Sequence, residues 1–241
     1  MGPVRIAAVA GTLALAVAGI SSASIPNVAF SINVDGSGSG FSAGGAATGT
    51  PGVYNYFGTE ISGSGTWKVD WNFNAADSSA VNPTFLSGNF TFYNTSNATQ
   101  QYDILITLPT TPAGPSTLLG GSVAGGLTAD ADGGKIMSLG GAPMWAAYMD
   151  AVQVAGLLAA PINVSAGPFG STPIGSGAFG QPIPSLAGPA MGNSMSIRFR
   201  FELSAGDQAS FTSVFVAKVV PAPASLALIG LAGLTGRRRR A

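Results

Sequence analysis

Two runs of this sequence carry an apolar residue at every second position, and this spacing constrains the fold more than any other feature. Thr66–Asn74 and Ser194–Ser204 each have one apolar and one polar face. The apolar faces are Trp67, Val69, Trp71 and Phe73 in the first run, and Met195, Ile197, Phe199, Phe201 and Leu203 in the second. A period of two with one apolar face predicts a half-buried β-strand.

Further short apolar runs lie elsewhere in the chain, separated by stretches rich in glycine and proline. The strands predicted from them are Asn27–Val34, Val53–Phe57, Leu86–Tyr93, Tyr102–Leu108 and Ala209–Val219. The 35 Gly and 16 Pro of the chain suit the turns between many strands. We therefore predict an all-β fold, an antiparallel β-sandwich of jelly-roll type. Its last two strands should form a hairpin that turns at Gly206-Asp207.

Two stretches are harder to interpret. Pro143–Leu158 fits either one helix or a β-hairpin that turns at Asp150-Ala151. We favour the hairpin, because Val152 and Val154 alternate with polar or small residues and Gly156 weakens a helix. Residues 161–193 are rich in proline and glycine, and we interpret them as a loop that is long for a compact domain.

The composition excludes several classes of site. The chain contains neither cysteine nor histidine, so it forms no disulfides and lacks the residues of most zinc sites and nucleophile triads. Five basic residues lie away from the two ends of the chain, against ten acidic residues, which gives a net charge of −5 for the body. Nucleic-acid binding needs clustered basic residues, so we expect no nucleic-acid partner. We also predict no cofactor and no enzymatic activity.

The N-terminus has the three parts of a signal peptide. Arg5 supplies the positive charge, Ile6–Ile20 is apolar, and Ser21-Ser22-Ala23 offers small residues to signal peptidase. We predict cleavage after Ala23. The alternative is an uncleaved anchor, but the apolar run is short for a membrane span.

The C-terminus combines two prolines, a short apolar run and a basic cluster. Val220, Pro221, Ala222 and Pro223 form the extended candidate processing motif, Ala224–Gly236 is apolar, and Arg237, Arg238, Arg239 and Arg240 follow. A helix over the apolar run would be about 20 Å long, which is short for the hydrocarbon core of a membrane. The arginines favour retention on the cytoplasmic side. We predict a transient membrane anchor, with a permanent tail anchor as the alternative.

This tail resembles the PEP-CTERM sorting signal, in which a Pro-Glu-Pro-like motif, a hydrophobic helix and a basic cluster are recognised by an exosortase. Ala222 stands where that family usually has Glu. Phe201–Phe215 and Tyr148–Val154 also resemble segments of PEP-CTERM proteins. The resemblance implies an exported protein, transiently anchored in the inner membrane and then released to the cell surface or medium, with exopolysaccharide as a possible partner.

Acidic residues provide two candidate sites. Asp130 and Asp132 lie in an Asp-Ala-Asp-Gly-Gly segment that resembles part of a calcium loop, but the third oxygen ligand and the distant Glu of an EF-hand are missing. Asp and Gly are also typical of an ordinary turn, so we favour a turn and predict no metal site. Glu60 and Glu202 are the only glutamates, and paired carboxylates can hydrolyse glycosides. We expect Glu202 to form a surface ion pair with Arg200 instead.

Trp67 and Trp71 could form a platform on which a sugar stacks, although tryptophans on an alternating strand are more often part of a core. Four Asn-X-Ser/Thr sequences, at Asn89, Asn94, Asn97 and Asn163, match glycosylation sites. The abundance of these residue types makes chance matches common.

The predicted organisation is a signal peptide at 1–23, a β-sandwich domain at 24–219 and a sorting tail at 220–241, with a helix in each terminal segment. The main functional hypothesis is a non-enzymatic cell-surface or extracellular-matrix protein. The alternative is a carbohydrate-binding module. Solvent exposure of Trp67 and Trp71 distinguishes a sugar platform from a core.

Overall fold

A computed structural model describes residues 25–77 and 83–221 of the chain. The helices predicted for the two terminal segments lie outside these residues. All regular structure within them is β-strand. The strands are β1 (Val28–Val34), β2 (Ser37–Ala43), β3 (Ala46–Ala47), β4 (Val53–Ile61), β5 (Trp67–Ala76), β6 (Thr84–Asn94), β7 (Gln100–Pro109), β8 (Ser116–Thr128), β9 (Gly134–Ser138), β10 (Trp145–Met149), β11 (Val152–Leu157), β12 (Asn163–Ala166), β13 (Ser171–Phe179), β14 (Leu186–Gly188), β15 (Ser194–Leu203) and β16 (Gln208–Val220).

The strands form two antiparallel sheets. The first sheet has the order β11-β10-β15-β7-β1-β2, and β9 pairs with β15 and β12. The second sheet has the order β13-β8-β16-β6-β5-β4-β3, and β14 pairs with β8. This arrangement confirms the predicted all-β, antiparallel sandwich. The hairpin predicted for the last two strands is wrong, because β15 and β16 lie in different sheets and do not pair with each other. β15 pairs with β7, β10 and β9, and β16 pairs with β6 and β8. The chain therefore crosses from one sheet to the other at the turn between them.

The two sheets meet through the apolar faces that the alternation predicts. The ring of Phe92 on β6 lies 5.3 Å from those of Phe199 and Phe201 on β15. Phe30 on β1 lies 4.7 Å from Trp71 on β5. Offset and edge-on rings at these distances attract one another in addition to burying area. The core therefore consists largely of aromatic contacts between sheets.

Polar groups also tie the sheets together. The buried indole of Trp145 on β10 donates to Ser213 Oγ on β16, at 2.7 Å. The Asn94 side-chain amide is 1% exposed and lies 2.9 Å and 3.0 Å from the carbonyl oxygens of Leu203 and Ser204. Buried polar groups without partners are costly, so these contacts restrict how the sheets can be aligned.

The stretch between residues 143 and 158 is a hairpin, as favoured from the sequence. β10 and β11 are antiparallel and enclose Asp150 and Ala151, whose φ values are 46° and 65°. Positive φ at both central residues is the geometry of a type I′ turn, whose twist matches that of paired strands.

The interpretation of residues 161–193 as a loop is wrong. This stretch contains β12, β13 and β14. β13 pairs with β8 along one side, and its register shifts between Pro173 and Gly175. Proline is tolerated on an edge strand or at a bulge, which explains how so proline-rich a segment joins a sheet. The strand β8, which pairs with β13, was not predicted from the sequence either; it carries Gly120-Gly121 and Gly125-Gly126.

The start of β1 and the end of β16 lie at the same end of the sandwich. β1 and β15 are both antiparallel to β7 and so run in the same direction. β16 follows β15 through a tight turn and runs back. Val28 and Val220 therefore lie at the same end of the sandwich, in different sheets, and the β15–β16 turn lies at the far end.

Replacing Trp71 by Ala should destabilise the fold strongly. Trp71 is 8% exposed and its ring contacts Phe30 and Phe41. Removing a buried aromatic side chain costs about 3–5 kcal/mol, which urea denaturation measures. Phe57→Ala is the matched control, because Phe57 lies opposite Asn72 on the neighbouring strand and is 68% exposed. Equal denaturation midpoints for the two variants would contradict a core role for Trp71.

Two buried tyrosines make the stability of the fold sensitive to alkali. The Tyr56 hydroxyl donates to the Pro26 carbonyl oxygen at 2.6 Å, and burial raises its pKa from 10.0 to about 12. Burial also raises the pKa of Tyr102, whose hydroxyl lies 3.0 Å from the Tyr93 carbonyl oxygen. In both cases the folded state favours the protonated phenol.

The stabilisation from these phenols should be complete below pH 10 and should decrease as the pH rises toward 12. A raised pKa in the folded state means that the unfolded chain loses its protons first, so unfolding becomes more favourable over this window. Urea midpoints measured from about pH 8 to about pH 11.5 test this. In a Tyr56→Phe, Tyr102→Phe double variant the alkaline decrease should be smaller. If the double variant loses as much stability at alkaline pH as the parent chain, groups other than these two tyrosines cause the loss.

Candidate functional site

The candidate processing motif begins at the end of the last strand. Val220 is the final residue of β16 and pairs with Ser116 on β8. Pro221 follows it and is exposed. Ala222, Pro223, Arg237–Arg240 and the predicted cleavage residue Ala23 lie outside the described residues.

The tryptophans do not form a sugar platform. Trp67 is 3% exposed and Trp71 is 8% exposed, and both face the first sheet. The Trp71 ring lies between Phe30, Phe41 and the backbone of Gly58, where an added Cβ would come within 2.6 Å of the ring. A stacking platform needs an open ring face, so this hypothesis is wrong and the core interpretation holds.

The two glutamates lie in different sheets. Glu60 is on β4 of the second sheet and accepts a hydrogen bond from Ser39 Oγ at 3.2 Å. Glu202 is on β15 of the first sheet and accepts one from Gln101 at 3.2 Å. The expected ion pair between Glu202 and Arg200 is not formed, because Arg200 faces Asp103. The glutamates thus do not form the carboxylate pair of a glycosidase.

The Asp130–Asp132 segment forms a hydrogen-bonded turn. Asp130 Oδ1 accepts the N–H of Asp132 at 2.9 Å. The neighbouring Asp207 is 1% exposed, and it accepts the N–H of Asp130 at 3.1 Å and a hydrogen bond from Ser204 Oγ. Among residues 25–77 and 83–221, no three acidic side chains converge as a metal site would require. The carboxylates here satisfy backbone donors at the β15–β16 end of the sandwich.

The four sequons differ in accessibility. Asn94 is buried and its amide is hydrogen-bonded, so the folded chain cannot present it for glycosylation. Asn89, Asn97 and Asn163 are exposed. Asn89 Oδ1 accepts a hydrogen bond from Thr212 at 2.8 Å on the outer face of the second sheet.

An ionic cluster on the outer face of the first sheet was not predicted from the sequence. Arg198 and Asp103 form a two-point contact, with Nε–Oδ1 and Nη2–Oδ2 distances of 2.6 Å and 2.5 Å. Arg200 Nε lies 3.5 Å from the same carboxylate. The hydrogen bond to Asp103 raises the pKa of Arg198 above its usual value. The alternation placed both arginines on this face, but it did not identify a partner on β7.

Two cavities adjoin Arg200, one on either side of the loop Leu139–Met144. A cavity of about 240 Å³ is lined by Asn33, Asp35, Gln101, Asp103, Leu139 and Arg200. A smaller one of about 30 Å³ is lined by Pro143, Ala146, Tyr148, Gln153, Arg198 and Arg200. The loop is held to β15 by the hydrogen bond from Arg200 N–H to the Met144 carbonyl oxygen, at 2.9 Å.

An open cavity of about 450 Å³ lies on the outer face of the second sheet. Its lining includes Asn89, Thr91, Ser210 and Thr212, with Gly125 and Gly126 of β8 at its floor. These side chains hydrogen-bond mainly to one another across the strands.

Within the described part of the chain, no helix has the length and apolar character needed to cross a membrane. No protein-family model matches the sequence, and no curated protein is significantly similar to it.

Calcium should not stabilise the fold. The role of Asp130 is to accept the Asp132 N–H, which an amide oxygen can also do. Asp130→Asn should keep the melting temperature within about 2 °C of the parent chain, whereas Asp130→Ala should cost about 1 kcal/mol. Differential scanning calorimetry with calcium and with chelator provides the measurement. A large increase in melting temperature with calcium, lost in Asp130→Asn, would contradict this assignment.

Proposed function

We propose that this chain is an exported, non-enzymatic protein of the cell surface or extracellular matrix, sorted by an exosortase through its C-terminal tail. The observation that carries the proposal is the position of the candidate motif. It begins at Val220, where β16 ends, and continues with the exposed Pro221.

Cleavage beyond Pro221 would leave the sandwich complete. β16 pairs with β8 as far as Val220 and with β6 as far as Ala217, so within the described residues the sheet pairing of this strand ends at the motif's first residue. Proline has no N–H to donate, and Pro221 therefore ends the ladder. A processing enzyme that acts on this motif would cut directly next to a folded domain.

The N-terminal side has the same arrangement. β1 begins at Val28, so removal of residues 1–23 by signal peptidase would leave that strand intact. Both processing points would then be at one end of the sandwich, because β1 begins and β16 ends at that end. During its transient anchoring in the inner membrane, the domain would direct its opposite end, with the β15–β16 turn, away from the bilayer.

We also propose that the β-sandwich is of the jelly-roll type. Among the described strands, the chain passes from one sheet to the other at seven places, namely β2/β3, β6/β7, β7/β8, β8/β9, β12/β13, β14/β15 and β15/β16. Such crossings are typical of jelly-roll sandwiches, and they support a jelly-roll body at 24–219 between a signal helix and a tail helix. Exopolysaccharide is the proposed matrix partner of that body.

The mature protein should lack Arg237–Arg240. The test is mass spectrometry of the C-terminal peptide of protein recovered from the cell surface or medium of the native host. Replacing the four arginines by serine should prevent processing, because positive charge keeps the end of the tail cytoplasmic. Replacing them by lysine is the matched control and should leave processing unchanged. Finding Arg240 in most recovered molecules would refute the sorting proposal.

A further inference from the structure

One donor of the Arg200 guanidinium, Nε, is not satisfied by the described residues. This nitrogen is buried and has no hydrogen-bond partner among them. Its ion pair with Asp103, at an Nε–Oδ2 distance of 3.5 Å, is longer than a typical hydrogen bond. Arg198 already contacts both oxygens of that carboxylate. One carboxylate thus serves two guanidiniums, and a buried donor without an acceptor is costly.

The smaller cavity beside Arg200 has the lining of an anion site. Arg198 and Arg200 contribute positive charge, and the amide nitrogen of Gln153 can donate a hydrogen bond. The Tyr148 hydroxyl lies 3.3 Å from Gln153 Oε1 and so orients that amide. Among the described residues, no carboxylate lines this cavity, whereas Asp35 and Asp103 line the larger one. An anion would therefore enter on the β10–β11 side of the loop Leu139–Met144.

The volume selects a small anionic group. The cavity of about 30 Å³ has room for about two water-sized atoms, which matches the two oxygens of a carboxylate. A planar carboxylate is also the group whose geometry fits the guanidinium fork. The remainder of such a ligand would lie outside, over the outer face of the first sheet.

We propose that this cavity, between β15 and the β10–β11 hairpin, binds the carboxylate of a uronic acid residue in an acidic polysaccharide, with Arg200 as the principal donor. The choice of polysaccharide rests on the proposed matrix function, while the carboxylate specificity rests on the cavity itself. The site lies toward the end of the sandwich opposite the two termini, since Arg200 pairs with Asp103 close to the β15–β16 turn.

Isothermal titration of the body, residues 24–221, after secretion and purification from the native host, tests the proposal with tetragalacturonate and neutral maltotetraose as probes. The acidic probe should bind and the neutral one should not. Arg200→Gln should weaken binding by at least about tenfold. Lys218→Gln removes the same charge from an exposed position of β16 and should leave the affinity unchanged.

A second variant distinguishes a direct effect on binding from a loss of affinity caused by unfolding. Asp103→Asn removes the carboxylate that competes for both guanidiniums, so it should raise the affinity for tetragalacturonate by about fivefold. Equal binding of the neutral probe, an unchanged affinity in Arg200→Gln, or a loss of affinity in Asp103→Asn would each overturn the assignment. Displacement of the probe by an equal concentration of acetate would show a site for free carboxylates and would also overturn it. None of these outcomes bears on processing of the tail, which the C-terminal peptide tests separately.

Discussion

The packing of aromatic rings between β6, β15 and β16 determines how the rest of the fold is arranged. Phe92 of the second sheet contacts Phe199 and Phe201 of the first, and both of these contact Phe211 on β16. Because β15 and β16 are consecutive in the chain and each is central in its sheet, these contacts fix the two sheets face to face. The outer strands bury further apolar area between two sheets whose alignment these central contacts already determine.

A strand could be predicted from the sequence where one of its faces is buried in the core and the other faces solvent. β5, β15 and β16 carry that contrast in their side chains. β8 and β13 do not, because glycine, serine and proline leave no clear apolar face. They become strands through hydrogen bonding to a neighbour, and pairing partners are a property of the whole chain. A proline-rich segment at a sheet edge therefore has the same local pattern as a loop.

The prediction of the candidate sites from the sequence was limited in the same way, because it depends on contacts between distant parts of the chain. The spacing of Trp67 and Trp71 fits both a platform and a core, and the burial by Phe30 and Phe41 from the first sheet decides between them. The Arg198–Asp103 contact joins residues 95 positions apart. Alternation identifies the face on which the arginines lie, but the register of β15 against β7 determines which acid they meet. By contrast, the tail pattern is contiguous, and so it can be recognised without the fold.

The position of β16 has a mechanical consequence. This strand is hydrogen-bonded to β6 over ten residues and to β8 over thirteen, and the tail continues directly from its last residue. Sheet hydrogen bonds run across the strand direction, so a pull on the tail, opposed by a load at the far end of the sandwich, would shear both ladders along their length at once. Shear must break many bonds together, whereas peeling breaks them one by one. A domain tethered through this strand would therefore resist unfolding under tension.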